Sequence, residues 1–442
     1  MRGRTEPVVF FLALLAGWIA AALFDGGPSR TQGAEDLIAA MPEAMRGEAL
    51  LTAGAKAETR GDSVEAARLY RQAWRHREAR YRAATALRSM HSRGLHEIPV
   101  DELALEKTRL ALGPEFTRMD TAHFVVLSNA GSEWTRSRAA LLERTYHQFF
   151  RVMDRLEYPA VPPEQKLMCV LIRDHAMYAA FAKTQDGVDA PWIAGYYAGR
   201  SNRIVFYDDQ TSPAFAEALK SLDTHEKDIK EARQRARDAR RNRQGELAER
   251  LEAHADDLER RIALERRRLQ GEAARSSEAK TVHEAVHLLA FNTGVQSRSH
   301  SYPFWITEGL ASAFETESPR AAFGPDHVTA TRQGDFERHL INGQLMPTDA
   351  LVALSRVPDA EATTADVMYS QSYALVAYMF RYERRSLAQY LLDILDEPAG
   401  RIDASRHGEI FAARFGDPGD FEARFLKRAG SGLAQAALAT AP

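Results

Sequence analysis

The chain has 442 residues, a formal net charge of −3 and 45% hydrophobic residues, so it is long enough for a substantial core and for two or three folding units. Because the net charge is small and basic residues alternate with acidic ones, no overall field favours nucleic acid, and we expect no nucleic-acid binding. The single cysteine, Cys169, excludes an intramolecular disulfide and a cysteine-ligated structural zinc site, and its apolar neighbours favour a core residue over a thiol nucleophile.

Residues 1–34 predict a signal peptide or an N-terminal membrane anchor, followed by a linker. Arg2 and Arg4 precede an uncharged apolar stretch at residues 8–24, which is longer than a usual signal-peptide core and shorter than an ideal membrane helix. The basic flank predicts that the rest of the chain is exported. It would lie in the periplasm or outside the cell, either released or anchored to the membrane.

Residues 35–112 predict a small helical domain. Ala66, Leu69, Tyr70 and Ala73 recur at helical spacing after a Gly-Asp turn. This pattern is similar to one tetratricopeptide (TPR-like) unit. No second copy is recognisable in the sequence, and such arrays need about three repeats for stability, so we predict a helical domain and not a repeat array.

Strands alternate with helices in the region that follows, which we assign to one domain at 113–442. We predict strands at His123–Leu127, Leu167–Ile172 and Arg203–Tyr207, with an amphipathic helix after the first. Towards the C-terminus the pattern becomes helical, at Ser372–Phe380 among other places. This order predicts a mixed α/β or α+β domain.

A charged segment at residues 213–275 predicts an antiparallel helical hairpin inserted in this domain. It is rich in Arg, Glu, Asp, Lys and Ala, with a turn predicted at Asn242–Gly245. Two weak coiled-coil seams flank the turn, formed by Leu222, Ile229, Ala232, Ala236 and Ala239 on one side and by Leu247, Leu251, Leu258 and Ile262 on the other. Its charges fit a solvated face, and a protein partner could bind this hairpin or the helical leader at 35–112.

The segment His283-Glu284-Ala285-Val286-His287 has the spacing of a metal site on a helix. Residues four apart lie on one helix face, so His283 and His287 can both present ring nitrogens to one ion. Glu284 lies beside the first ligand and can reach a metal-bound water instead of the metal. Ser276 and Ser277 are predicted to cap the start of this helix. The alternative interpretation is two ordinary helix histidines with no metal.

A catalytic zinc needs a third protein ligand and one open position. Ala290 and Thr293 exclude the His-x-x-Gly-x-x-His continuation, which needs glycine and histidine at these two positions. Glu308 follows the second histidine by about twenty residues, within Trp-Ile-Thr-Glu-Gly-Leu-Ala, and is the predicted third ligand. Glu315 and His300 are alternative ligands.

Three segments together resemble the gluzincin, or peptidase MA-like, superfamily of zinc metallopeptidases. They are the His-Glu-Ala-Val-His motif, the Trp-Ile-Thr-Glu-Gly-Leu-Ala segment and Tyr-Ser-Gln-Ser-Tyr, which begins at Tyr369. The chain is most similar to a bacterial branch of that superfamily that carries a domain of unknown function. The resemblance spans roughly Asp120–Tyr382, apart from the charged hairpin.

The resemblance implies a zincin-like α+β catalytic domain, with a small sheet above the active-site helix. It implies that His283, His287 and Glu308 bind one zinc ion and that Glu284 acts as the base. The edge strand of the sheet would hold an extended peptide by backbone pairing, and this strand would be Ile204–Tyr207 or Gly195–Tyr197. A tyrosine would stabilise the oxyanion, with Tyr369 preferred and Tyr373 the second choice.

These residues predict a zinc-dependent hydrolase, and the resemblance implies a metallopeptidase. Peptide bonds of a peptide or protein substrate would be cleaved by attack of a zinc-bound water, assisted by Glu284. Two alternatives stay open. One is an envelope scaffold or interaction protein with a structural or vestigial zinc site, and the other is an amidase acting on a non-peptide substrate.

Overall fold

The computed structural model describes residues 38, 41–189, 193–357 and 362–439, in which many helices accompany one five-stranded sheet. The α+β class is therefore confirmed. The predicted signal or anchor segment at residues 8–24 lies outside these ranges. Within them, no helix combines the length and the apolar character that a membrane crossing requires.

The chain divides by its internal contacts into two compact units. The first comprises the described residues up to Pro99 together with Met153–Glu164, and the second comprises Val100–Val152 together with the described residues from Gln165 onwards. The predicted domain boundary at residue 112 stays a prediction.

The first unit is a small helical bundle. Its helices are α1 (Glu43–Thr59), α2 (Ser63–Trp74) and α3 (Arg80–Ser92). Asp62 caps α2, because its side chain accepts a hydrogen bond from the backbone N–H of Glu65 at 3.1 Å. The four residues whose spacing predicted a helix, from Ala66 to Ala73, all lie in the core of this bundle.

The second unit contains the sheet. Its strands are β1 (Thr117–Asp120), β2 (Phe124–Ser128), β3 (Leu167–Ile172), β4 (Gly195–Ala198) and β5 (Arg203–Tyr207). The order is β1-β2-β3-β5-β4, with β2, β3 and β5 parallel and the two edge strands antiparallel to their neighbours. Every residue of the three parallel strands is buried, as expected for strands covered on both faces.

The predictions at β3 and β5 are confirmed, and β2 begins one residue later than predicted. Ile204–Tyr207 is wrong as an edge strand because β5 lies between β3 and β4. The edge strand near the motif is therefore β4, which contains the alternative segment Gly195–Tyr197. Cys169 is fully buried in β3, and this burial raises the pKa of its thiol, which disfavours a nucleophile.

Helices form most of the second unit, and the one that ends at Arg155 continues for its last three residues into the segment Met153–Glu164 of the first unit. They are α4 (Glu102–Leu112), α5 (Ser132–Arg155), α6 (His175–Phe181), α7 (Pro213–Arg241), α8 (Gly245–Asn292), α9 (Phe304–Phe314), α10 (Ala330–Ile341), α11 (Thr348–Ala353), α12 (Ala362–Tyr382), α13 (Arg384–Asp396), α14 (Ala404–Phe415) and α15 (Pro418–Ala439). The helix predicted at Ser372–Phe380 is confirmed as part of α12.

Helices α7 and α8 form an antiparallel hairpin that turns at residues 242–244. Ion pairs cross between the helices at Arg240–Glu252 (2.5 Å), Arg233–Glu259 (2.6 Å) and Arg266–Glu226 (2.8 Å). All five residues of the first predicted seam are buried. In the second seam, the prediction that Leu247 packs between the helices is wrong, since 46% of its surface is exposed. Ala248 and Ala255 are buried there instead.

Helix α8 runs without a break for 48 residues, from the hairpin turn through the His-Glu motif. The predicted caps at Ser276 and Ser277 are therefore wrong, because both serines lie inside the helix. Ser277 finds other partners there. Its hydroxyl accepts a hydrogen bond from Arg138 at 2.9 Å, and its carbonyl accepts one from the Thr281 hydroxyl at 2.7 Å.

Candidate metal centre

Helices α8 and α9 bring three side chains with metal-binding atoms together. His283 and His287 lie one turn apart on α8, and Gly294 ends that helix in a left-handed conformation (φ 81°), so the chain turns back towards α9. Glu308 lies in α9, in the second turn. The ring nitrogens of the two histidines and a carboxylate oxygen of Glu308 form one cluster.

The distances in this cluster fit a metal ion. His283 Nε2 lies 3.1 Å from Glu308 Oε2 and 3.1 Å from His287 Nε2, and the third pair, His287 Nε2 and Glu308 Oε2, is 3.5 Å apart. Ligand atoms at about 2.0–2.1 Å from a tetrahedral zinc would be separated by roughly 3.3 Å. The described residues thus contain a His/His/Glu set that can hold a metal ion.

The ionisable groups at the cluster shift one another's pKa. Burial works to raise the pKa of Glu308, but the neighbouring histidines outweigh it and hold the pKa well below its usual range. Burial works to lower the pKa of His283, but the carboxylates of Glu308 and Glu315 outweigh it and raise the pKa to about 10. Without a metal ion, a proton on His283 balances the carboxylates, and a metal ion that binds there takes the place of this proton.

Glu284 lies beside the cluster and lines a cleft of about 700 Å³. Burial raises the pKa of its carboxyl group, and the neighbouring His283 and His287 partly oppose this increase. A carboxylate that lines a cleft and has a raised pKa is a stronger proton acceptor than a solvated one.

Tyr369 lines the same cleft from α12. Its ring packs edge-on against Phe304 at 5.1 Å and lies 6.4 Å from the ring of His283. Burial raises the pKa of its hydroxyl group, which therefore stays protonated and can donate a hydrogen bond. Tyr373, the second choice, is directed elsewhere, since its hydroxyl oxygen accepts a hydrogen bond from the backbone of Thr329 at 3.2 Å.

A glycine allows α9 and α12 to approach closely at this site. A Cβ atom on Gly309, next to Glu308, would lie 2.5 Å from the carbonyl oxygen of Ser372 and 2.8 Å from Val376 Cγ2. Ser372 is one helical turn beyond Tyr369 on α12. The glycine after the predicted ligand therefore lets the tyrosine-bearing helix pack directly against the glutamate-bearing helix.

The two alternative ligands lie in different places. His300 Nε2 is 2.7 Å from the backbone oxygen of Glu397, and His300 does not belong to the cluster. Glu315 lies behind the cluster, where its Oε1 is 2.8 Å from His283 Nδ1. Arg332 donates two hydrogen bonds to Glu315, both at 2.8 Å. Glu315 was predicted as an alternative ligand, and its contact with His283 Nδ1 and its pairing with Arg332 were not predicted.

A second group with metal-binding atoms is formed by His123, Glu143 and His147. Here both carboxylate oxygens of Glu143 already accept hydrogen bonds from His123, one from the ring at 2.6 Å and one from the backbone at 2.8 Å. A separation of 2.6 Å is shorter than that between two zinc ligands. We interpret this group as a hydrogen-bonded pair that fixes the turn before β2.

The comparisons with known proteins cover part of the chain. The model of one family, described as "Protein of unknown function (DUF1570)", matches residues 277–398, which include the His-Glu motif at the end of α8, Glu308 and Tyr369. Comparison with curated proteins and with solved structures finds no match. The family match is consistent with the predicted branch that carries a domain of unknown function.

Proposed function

We propose that this chain is a zinc-dependent metallopeptidase of the gluzincin type. The observation that carries the proposal is the convergence of His283, His287 and Glu308 at separations of 3.1–3.5 Å, beside Glu284 in an open cleft. Two nitrogens and one carboxylate oxygen are a donor set that zinc accepts, and three protein ligands leave one position open, as catalytic sites require. The zincin-like assignment of the fold belongs to this proposal.

When bound, zinc supplies a Lewis acid that lowers the pKa of a coordinated water to about 7 and polarises a carbonyl oxygen. Glu284 accepts the proton of the attacking water and passes it to the leaving amine. Tyr369 keeps its proton and donates a hydrogen bond to the carbonyl oxygen as negative charge develops there.

The edge strand β4 supports a peptide as the substrate. β4 pairs with β5 on one side, and its other side is an edge of the sheet. Because the direction of backbone groups alternates along an antiparallel strand, every second residue of β4 directs its N–H and C=O to that edge. Gly195 lines the cleft, so an extended peptide could pair with β4 and present its backbone to the cluster.

Metal content and hydrolysis test the proposal together. We expect about one zinc per purified full-length chain by elemental analysis, lost or weakened in Glu308→Ala and retained in Glu284→Gln. His300→Ala is the matched control and should retain zinc. A quenched-fluorescent peptide library should be cleaved by the wild type and left intact by Glu284→Gln.

Two outcomes would contradict the proposal in different ways. A chain that binds no metal after reconstitution would leave the motif as a helix with two histidines, and would favour the interaction role predicted for the charged hairpin or for the leader at 35–112. A chain that binds zinc but cleaves only non-peptide amides would favour an amidase. Export and the anchor at residues 8–24 stay predictions that fractionation of cells can test.

A further inference from the structure

Glu315 directly follows the last residue of α9 and contacts His283, the first histidine of the candidate metal centre. Its carboxylate oxygen Oε1 is 2.8 Å from Nδ1 of His283, and the other ring nitrogen of that histidine points to the ligand cluster. We infer that Glu315 is a positioning residue that sets the ring orientation and tautomer of His283, and that Arg332 holds Glu315 in place. The inference rests on the proposed zinc site.

The chemistry of imidazole explains why such a carboxylate matters. A neutral histidine carries its proton on one nitrogen and a lone pair on the other. When Nδ1–H donates to Glu315, Nε2 carries the lone pair that a metal needs, and the ring cannot rotate without losing the hydrogen bond. His283 is thus restrained from the side opposite to the cluster.

The two glutamates contact different ring nitrogens of His283. Glu308 lies in the second turn of α9, and Glu315 is the residue that directly follows this helix, where the backbone has become extended (ψ 144°). Glu308 contacts Nε2 of His283 while Glu315 contacts Nδ1. One short helix and its first following residue thus supply both a ligand and the restraint on another ligand.

Glu315 is itself restrained by the segment at the start of α10. Arg332, in the first turn of α10, donates from Nε and Nη2 to the two carboxylate oxygens, each at 2.8 Å. The hydroxyl group of Thr329 donates to the backbone oxygen of Glu315 at 2.7 Å. Side chain and backbone are thus both tied to α10. The arginine also neutralises a carboxylate that is almost fully buried.

The test measures zinc affinity by competition with a chromophoric chelator, using the full-length chain. Glu315→Gln should raise the dissociation constant about 10–100-fold, the usual effect of losing an outer partner of a metal-binding histidine. Glu317→Gln is the matched control. Glu317 lines the same cleft but accepts hydrogen bonds from Thr331, so its substitution should leave zinc affinity unchanged.

Glu315→Asp guards against misfolding, because it keeps the charge that pairs with Arg332 and moves the carboxylate back from His283. It should also weaken zinc binding while the urea midpoint of the metal-free protein stays near that of the wild type. Cobalt substitution adds a spectroscopic readout, since a rotated histidine changes the ligand-field absorption.

The outcomes separate this inference from the proposed function. If the wild type binds zinc and both Glu315 variants bind it equally well, the positioning role is wrong and the zinc site stands. If the wild type binds no zinc, the site itself is wrong and the inference fails with it. Weaker binding in the Glu315 variants and unchanged binding in Glu317→Gln would establish the role.

Discussion

Helices α9 and α12 cross closely at Gly309, so replacing this glycine by alanine should lower the stability of the fold. The same replacement at Gly334 should raise it. Both Gly309 and Gly334 lie inside helices, so replacing either by alanine removes backbone freedom from the unfolded chain. This term alone should stabilise each variant by about 0.5–1 kcal/mol. The surroundings differ, because nothing lies within 4 Å of a Cβ atom on Gly334.

At Gly309 the added methyl group meets backbone. Its Cβ atom would be 2.5 Å from the carbonyl oxygen of Ser372, where ordinary contact begins at 3.4 Å, so α12 must move by about 0.9 Å. Overpacking of this kind costs about 1–3 kcal/mol. Since the gain from the lost glycine is the same at both positions, Gly309→Ala should be less stable than Gly334→Ala by about 1–3 kcal/mol, and Gly334→Ala should be more stable than the wild type.

Urea denaturation of the metal-free protein, followed by circular dichroism, measures both changes under the same conditions. Zinc competition on the same samples shows whether the displacement of α12 reaches the ligands. If Gly309→Ala were as stable as Gly334→Ala, α9 and α12 would not pack as closely as described. Gly309 would then not be what allows Tyr369 to lie beside Glu308.

Three further predictions concern other parts of the chain. Tyr369→Phe should keep its zinc and lower kcat about 10²–10³-fold on any cleaved peptide, and equal turnover would remove the hydroxyl group from the mechanism. In Glu143, burial works to raise the pKa, but hydrogen bonds led by His123 lower it to about 2. A carboxyl pKa below the unfolded value stabilises the fold above about pH 4.5, so Glu143→Gln should cost about 2–3 kcal/mol in urea at pH 7, a difference that shrinks as pH falls towards 2. Ala255→Asp should loosen the helical hairpin in hydrogen-exchange measurements because Ala255 is fully buried, whereas Leu247→Asp should not.

Much of the fold could be predicted because burial leaves a simple pattern in the sequence. The apolar runs at β3 and β5 are buried at every position, so hydrophobicity alone located them. β1 was missed because its sequence, Thr-Arg-Met-Asp, is polar and mostly exposed. The continuity of α8 was missed because serine is common at helix starts. Only the folded structure shows that the hydroxyl group of Ser277 accepts a hydrogen bond from Arg138 inside the helix.

At the candidate site, too, some residues could be predicted from the sequence and others could not. The two histidines and Glu284 follow from helix geometry, and Glu308 lies in the cluster where its motif predicts it. Glu315 was considered only as an alternative ligand, because its actual contact depends on the angle between α8 and α9 and on an arginine from α10. No local spacing encodes that angle. The edge position of β4 likewise depends on the order of strands in the sheet.

The unbroken course of α8 has a consequence for how this chain could gain or lose its hairpin. The turn end of the helix lies roughly 57 Å along its axis from His283, given a rise of about 1.5 Å per residue. A shortened chain that lacked residues 213–275 would begin this helix at Ser276 or Ser277, whose hydroxyl groups suit a helix start. The hairpin could therefore be added or removed as a module, and the serines that now lie inside the helix would supply the cap of the shorter one.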